Sequence, residues 1–135
     1  MKTYFVVTSV IKNKDKILIL KKGADDRNYP NKWSFCSGFV KEFEAAEDTA
    51  LREIKEETSL DARIIKKGDL ITAVDENNRE HPKTWVAAVF LCETDSSKVK
   101  LCNENSEYRW VTLNEVKDYD FVPALAKDLK SLGLQ

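Results

Sequence analysis

The chain has 135 residues, of which 42% are hydrophobic and 33% are charged. This length and composition are typical of one soluble globular domain, and they exclude a disordered chain. The formal net charge of −1 provides no basic surface for nucleic acid and no general attraction to an anionic membrane. An anionic ligand would therefore have to be held by a local site or by metal ions.

The three cysteines, Cys36, Cys92 and Cys102, form neither a disulfide framework nor a zinc-binding pair by their spacing. They favour a reducing compartment. The N-terminal stretch MKTYFVVTSV is strand-like and too short for a signal peptide, and no apolar stretch is long enough to cross a bilayer. We therefore expect a cytoplasmic protein that is not embedded in a membrane.

The first part of the chain predicts strands followed by a helix. TYFVVTSVI and ILIL, on either side of the polar turn KNKDK, predict a pair of strands, and KKGADDRNYPNK predicts a loop. Residues 33–40 predict one or two short strands around Gly38. Residues 44–58 change to helical spacing, with Ala46, Ala50 and Ile54 on one face.

The second part predicts more strands and a closing helix. DLITAV and TWVAAVFLCE predict strands around the polar turn DENNREHPK, and EYRWVTL predicts another. NEVKDY predicts a short helical segment, and PALAKDLKSL predicts an amphipathic helix with Pro123 in its first turn. Strands divided by one helix and followed by another predict a single α+β domain over residues 1–135, with a mixed sheet between helices.

The stretch ALREIKEET places Glu53, Glu56 and Glu57 away from the apolar face of the predicted helix. Like charges three and four residues apart repel by about 0.2–0.5 kcal/mol per pair. Taken alone, the stretch is best explained as a solvated face on which Arg52 and Glu56 form an ordinary ion pair. The alternative is a cation site, because Mg²⁺ prefers carboxylate oxygens.

The residues around this stretch favour the cation site. The chain from Gly38 to Leu60 resembles the Nudix box, G-x5-E-x7-R-E-U-x-E-E-x-G-U with U aliphatic, at every named position except the last glycine, which is Ser59. YPNKW upstream and ENSEYRW downstream also resemble segments of Nudix hydrolases, so the resemblance covers nearly the whole chain. It implies the Nudix fold, a mixed β-sheet sandwiched between α-helices, and hydrolysis of a nucleoside diphosphate linked to another group.

Other departures from the family pattern precede the helix. Many members read P-G-G-x-x-E-x-G-E where this chain reads CSGFVKEFE. Cys36, Ser37, Lys41 and Phe43 therefore replace Pro, Gly, Glu and Gly. These changes bear on the turnover rate and on the number of metal ions, and they leave the glutamates of the box in place.

The resemblance also implies roles for individual residues. It implies a Mg²⁺ site, with Mn²⁺ as an alternative, whose ligands are Gly38 through its carbonyl, Glu53, Glu56 and Glu57. Arg52 would orient Glu53 by a charge-assisted hydrogen bond, and Glu44 would support the box.

Two further roles stay open between alternatives. The base that activates water is Glu53, or it is Glu104 or Glu107 from the loop before the EYRW strand. Lys21 or Lys22 is expected to face the phosphates of the substrate, although a solvated strand end explains these lysines equally well.

The substrate is predicted from two features. We expect no N-terminal segment of the kind with which many ADP-ribose-type members dimerise, so a MutT-like nucleoside triphosphatase is the leading prediction. YDFVPAL resembles the MutT segment in which an asparagine after Pro-Ala reads an oxidised guanine, and Leu125 stands at that position. A leucine packs on a base without hydrogen bonds, which predicts only a modest preference for 8-oxo-guanine nucleotides.

The alternative functions are an ADP-ribose or nucleotide-sugar pyrophosphatase and a non-catalytic nucleotide-binding Nudix module. The module is disfavoured because such proteins generally lose glutamates of the box, and this chain keeps them. We expect a small-molecule nucleotide substrate, no nucleic-acid or membrane partner, and a monomer or a homodimer.

Overall fold

The computed structural model describes residues 2–75 and 82–134, and over these residues the chain forms one seven-stranded sheet and two α-helices. The strands are β1 (Lys2–Asn13), β2 (Lys16–Lys22), β3 (Trp33–Ser34), β4 (Cys36–Phe39), β5 (Ala62–Asp75), β6 (Lys83–Thr94) and β7 (Asn105–Val111). The helices are α1 (Ala46–Thr58) and α2 (Leu125–Ser131), with a 3-10 turn at Val116–Asp118. The middle of the predicted turn DENNREHPK lies outside the described residues.

The sheet is mixed, as the order of predicted elements indicated. Its strand order is β3-β2-β1-β6-β5, with β4 paired to β1 and β7 paired to β2. β1 and β6 run parallel, and the other pairs are antiparallel. The predicted pairing of β1 with β2 is confirmed but is confined to the turn, because β1 then separates from β2 and pairs with β4.

Each face of the sheet is covered by one helix. We call the face of the sheet under α1 the α1 face. The core cluster on this side contains Val7, Ile11, Leu18, Leu20, Cys36, Ala50 and Ile54. The α2 face contains Val10, Ile17, Ile19, Trp33, Leu125, Leu129 and Leu132. The alternation of strand side chains accounts for this division. The sandwich implied by the family resemblance is therefore confirmed.

β5 is longer than the sequence predicted, since it begins at Ala62 and not at the stretch DLITAV. Two register shifts interrupt its pairing with β6. Polar residues at these shifts contact the end of α2. The Lys66 ammonium donates to the Leu132 carbonyl at 2.7 Å, and the Asp69 amide donates to Ser131 Oγ at 2.7 Å. Tertiary contacts thus keep in a strand a stretch whose composition is typical of a turn.

The start of α2 also differs from the prediction. Pro123 lies before the N-cap residue and not in the first turn of the helix. The preceding segment is extended beside β3, since the Trp33 amide donates to the Asp120 carbonyl and the Val122 amide donates to the Trp33 carbonyl, both at 2.9 Å. The predicted helical segment NEVKDY contains only the 3-10 turn.

The C-terminal end of α1 is held by a left-handed residue and by the segment before β7. Ser59 has φ +64° and donates its amide to the Lys55 carbonyl. The Lys100 amide donates to the Thr58 carbonyl at 2.9 Å, and the Cys102 amide donates to the Glu57 carbonyl at 3.3 Å. Carbonyls that lack a partner within the helix are thereby satisfied.

Ser59→Gly should stabilise the folded chain, because glycine adopts a positive φ without the steric cost that a side chain incurs there. We expect the free energy of unfolding to rise by about 1 kcal/mol, measured by denaturant titration. Ser97→Gly in an exposed loop, where φ is not positive, is the control and should not stabilise. An unchanged or lower stability of Ser59→Gly would contradict a strained cap.

Asp128 in α2 is a buried carboxyl group, only 5% exposed. Burial raises its pKa from 3.8 to about 7. The folded chain therefore holds this proton more tightly than the unfolded chain. The resulting contribution to stability is complete below pH 3.8 and is lost as the pH rises through 7.

Asp128→Asn should remove this pH dependence, because the amide is neutral at every pH. At pH 8 the variant should be more stable than the wild type by up to about 4 kcal/mol, and the difference should shrink towards pH 5. The measurement is the unfolding free energy at pH 5 and pH 8, with the exposed Asp118→Asn as control. Equal pH dependence in wild type and Asp128→Asn would show that the buried group does not titrate in this range.

Candidate active site

Arg52 is the centre of an ionic network on α1. Its guanidinium donates to both carboxylate oxygens of Glu44, at 2.8 and 2.9 Å, and to Glu53 at 2.9 Å. It also donates to Glu56 at 3.2 Å and to the Phe39 carbonyl at 3.3 Å. The hydrogen bonds from Arg52 lower the pKa of Glu44 to about 2. Arg52 thus contacts both Glu44 and Glu53, and the roles of Arg52 and Glu44 at a metal site stay predictions.

Gly38 brings the helix and β4 into close contact. It pairs with Val7 in β1 and therefore faces α1. A Cβ atom at this position would lie 2.2 Å from Glu53 Cδ and 2.4 Å from Glu53 Oε1. Only glycine leaves this space to the carboxylate of Glu53, so the predicted ligands Gly38 and Glu53 are brought together.

Glu57 is the buried member of the acidic group, with 6% of its surface exposed. The Cys36 thiol donates to Glu57 Oε2 at 3.2 Å, and the Asn105 amide donates to Glu57 Oε1 at 3.3 Å. Burial raises the pKa of Glu57 to about 8, and the charge of Glu53 adds to this effect. Burial and the neighbouring Glu57 also raise the pKa of the Cys36 thiol well above its usual range, so the thiol is a hydrogen-bond donor.

The donor set fits a hard divalent cation. Glu53, Glu57 and the Gly38 carbonyl offer oxygen ligands, which Mg²⁺ and Mn²⁺ prefer, and Glu56 offers another from the solvent side. A cation would remove the repulsion that accompanies two neighbouring carboxylates, one of them buried. Among the described residues no three acidic, histidine or cysteine side chains converge as a ready metal site.

A β-bulge decides which residues of β7 face this site. Lys21 pairs with Glu107, but Lys22 pairs with Asn105, so Ser106 is the extra residue. An extra residue shifts the alternation of side chains between the two faces of a sheet. Asn105 therefore lies on the α1 face beside Glu57, whereas Glu107 lies on the opposite face.

The bulge separates the residues predicted for catalysis and phosphate binding. Glu107 forms an ion pair with Lys21 at 3.4 Å on the α2 face, so the structure does not bring these two to Glu57. Lys22 is opposite Asn105, on the face of the carboxylates. Glu104 has an exposed side chain, and its carbonyl accepts from the Gly23 amide at 3.1 Å.

The prediction that Leu125 contacts the base is wrong. Leu125 is 1% exposed and belongs to the core cluster on the α2 face. It is the first residue of α2, and its side chain packs into the core instead of lining a cleft. A leucine at a helix start has a strong hydrophobic reason to be buried.

Sequence reasoning missed Asn105 and gave no role to Cys36. The only signal for Cys36 was its departure from the family pattern. Asn105 has no signal, because the position of a bulge in a strand pair depends on the partner strand and cannot be read from ENSEYRW alone.

A family model described as the NUDIX domain matches residues 2–131. The chain belongs to the NUDIX family. The nucleoside triphosphatase NudI of Escherichia coli O139:H28 is 28% identical in an alignment of 141 positions that covers 99% of each chain. The same values hold for the nucleoside triphosphatase NudI of Shigella flexneri. The predicted family is thus confirmed, and the chain is a Nudix hydrolase.

Solved structures agree with this assignment. The MutT protein of Methanosarcina mazei Go1 superposes with a TM-score of 0.78 at 25% identity, covering 93% of this chain and 88% of that chain. A binary complex of a C. elegans Ap4A hydrolase has a TM-score of 0.74 at 19% identity, with 96% and 95% covered, and shares the fold. Nudix hydrolases in general use divalent metal ions and act on small nucleotide substrates. In the described part of the chain, no helix has the length and hydropathy needed to span a membrane.

Gly38→Ala should weaken metal binding, because the added methyl group occupies the space of the Glu53 carboxylate. We expect the dissociation constant for Mn²⁺, measured from the electron paramagnetic resonance of the free ion, to rise at least about tenfold. The neighbouring Ser37→Ala, which faces the other side of the sheet, is the control. Wild-type Mn²⁺ affinity in a folded Gly38→Ala would show that the close approach of Glu53 to β4 is not needed.

Proposed function

We propose that the chain is a Mg²⁺-dependent pyrophosphohydrolase that cleaves nucleoside triphosphates to a nucleoside monophosphate and pyrophosphate. The observation that carries the proposal is the pair of carboxylates, Glu53 and Glu57, held against the Gly38 strand by hydrogen bonds from Arg52, Cys36 and Asn105. The likeness to nucleoside triphosphatase NudI over 99% of both chains supports the triphosphate as the substrate class.

In this mechanism Glu53, Glu57 and the Gly38 carbonyl would hold the cation, and Glu56 would offer a further carboxylate ligand. When bound, the cation would neutralise charge on the phosphoryl oxygens and would lower the pKa of a bound water. Arg52 holds Glu53 in place. Mn²⁺, which accepts the same ligands, should replace Mg²⁺.

The attacking water must also lose a proton to a carboxylate. Glu53 and Glu104 are the candidates for this base. Glu53 already lies in the carboxylate group, whereas Glu104 has an exposed side chain in the loop before the bulge. Lys22, on the same face as Asn105, is the candidate to contact the phosphates.

An aromatic group next to Gly38 supports a substrate with a flat base. The rings of Tyr4 and Trp85 are stacked with centroids 5.0 Å apart, and Phe39 lies 5.9 Å from Tyr4 and 6.2 Å from Trp85. Phe39 follows Gly38 directly and is 54% exposed. In the described residues β4 pairs only with β1, so the second edge of β4 has no partner strand. A substrate that crosses this edge would reach both the aromatic group and the carboxylates.

The test is pyrophosphate release from dGTP, dCTP and 8-oxo-dGTP, and hydrolysis of ADP-ribose, under one Mg²⁺ condition. We expect triphosphates to be the best substrates, with only a modest preference for 8-oxo-dGTP over dGTP, because ring stacking discriminates weakly between related bases. Chelation of Mg²⁺ should abolish release. Glu57→Gln should lower kcat at least about a hundredfold, and the exposed Glu47→Gln on the same helix should not.

Each alternative has its own result in this experiment. ADP-ribose as the best substrate would replace the triphosphatase with a nucleotide-sugar type of pyrophosphatase. Nucleotide binding without hydrolysis of any compound would identify a non-catalytic module. Full activity of Glu57→Gln at saturating Mg²⁺ would show that the metal site is assigned to the wrong residues.

Trp85→Ala should raise KM for all nucleotides several-fold and leave kcat nearly unchanged, because stacking stabilises the bound base equally before and during reaction. Phe43→Ala is the matched control, since Phe43 is fully exposed. An unchanged KM in Trp85→Ala would place the base elsewhere.

A further inference from the structure

We propose that Cys36 and Asn105 are positioning residues that fix the carboxylate of Glu57 for cation binding. The proposal rests on the function proposed above, because it takes Glu57 as a ligand. Cys36 Sγ lies 3.2 Å from Glu57 Oε2, and Asn105 Nδ2 lies 3.3 Å from Glu57 Oε1. Each oxygen of the carboxylate thus has its own donor.

Two donors on two oxygens define the plane of the carboxylate. An ionised carboxylate has about four lone pairs in that plane, and two of them accept from Cys36 and Asn105. The remaining lone pairs of Glu57 then point in fixed directions. Partners of this kind orient ligands and tune the affinity of metal sites.

Cys36 reaches Glu57 because the spacing of β4 matches the spacing of α1. Cys36 and Gly38 are two residues apart on the strand, a distance of about 6.8 Å. Glu57 and Glu53 are four residues apart on the helix, a distance of about 6 Å. The strand therefore presents the Cys36 thiol to Glu57, and at Gly38 it leaves an empty space that Glu53 occupies.

Asn105 reaches Glu57 from a different element. The bulge at Ser106 turns its side chain to the α1 face, as described above. The segment before it is tied to the helix end through the amides of Lys100 and Cys102. Backbone hydrogen bonds and the Asn105 side chain thus hold this segment against the end of α1.

The test is Mn²⁺ binding to the whole chain without substrate, measured from the free ion by electron paramagnetic resonance. We expect Cys36→Ala and Asn105→Ala each to raise the dissociation constant about tenfold. Cys36→Ser should restore the affinity to within about threefold, because a hydroxyl also donates. Cys92→Ala, a fully buried cysteine in the same core cluster, and the exposed Asn103→Ala are the matched controls and should bind as wild type.

Kinetics gives a second readout. In Cys36→Ala and Asn105→Ala the Mg²⁺ concentration for half-maximal activity should rise about tenfold, and kcat at saturating Mg²⁺ should change little. A loss of core packing alone would instead lower the melting temperature in chelator without this shift.

The outcomes separate this proposal from the proposed function. If Cys36→Ala and Asn105→Ala bind Mn²⁺ as wild type while Glu57→Gln does not, the positioning role is overturned and the metal site stands. If Cys36→Ala and Cys92→Ala weaken Mn²⁺ binding equally, Cys36 acts only through core packing and the positioning role is overturned. If the predicted shifts in Mn²⁺ affinity occur but no nucleotide is hydrolysed, the positioning role stands and the proposed function fails. A wild type that binds no Mn²⁺ overturns both.

Discussion

The close contact between α1 and β4 at Gly38 is the constraint on which the site depends. A glycine in β4 lets the carboxylate of Glu53 occupy the space of a side chain, and it brings the next helical turn, with Glu57, against Cys36. Two carboxylates are thereby placed side by side, one of them buried. Such a group raises the free energy of the folded chain unless hydrogen bonds or a cation compensate. Arg52, Cys36 and Asn105 supply the hydrogen bonds.

The rest of the fold holds this costly contact in place. The apolar side of α1 packs Ala50 and Ile54 against the sheet, and the parallel pairing of β1 with β6 supports the strand to which β4 is bound. Hydrophobic burial on one side of a helix can thus offset repulsion on the other. Local rules are broken where function is expected, since a carboxylate is buried and a serine adopts a left-handed conformation at the end of the same helix.

The sequence predicted the elements that depend on local residue patterns. It predicted less well the features that depend on tertiary contacts between distant parts of the chain. The helix, the strands and the mixed sheet follow from periodicity, and the Nudix box identified the family. The early start of β5, the burial of Leu125 and the approach of Asn105 all arise from tertiary contacts. β5 is held by the end of α2, Leu125 is drawn into the core, and Asn105 is turned by a bulge whose register is set by β2.

The same bulge narrows the choice of base. After Ser106, each residue of β7 pairs in regular order with a residue of β2. Glu107 therefore pairs with Lys21 and lies with it on the α2 face. Residues before Ser106 follow the shifted register, which puts Asn105 beside Glu57. The bulge therefore separates Glu107 from the carboxylates of α1, which leaves Glu53 and the exposed Glu104 among the proposed bases. Asn105 joins the loop before the bulge to Glu57, because its side-chain amide donates to Glu57 Oε1.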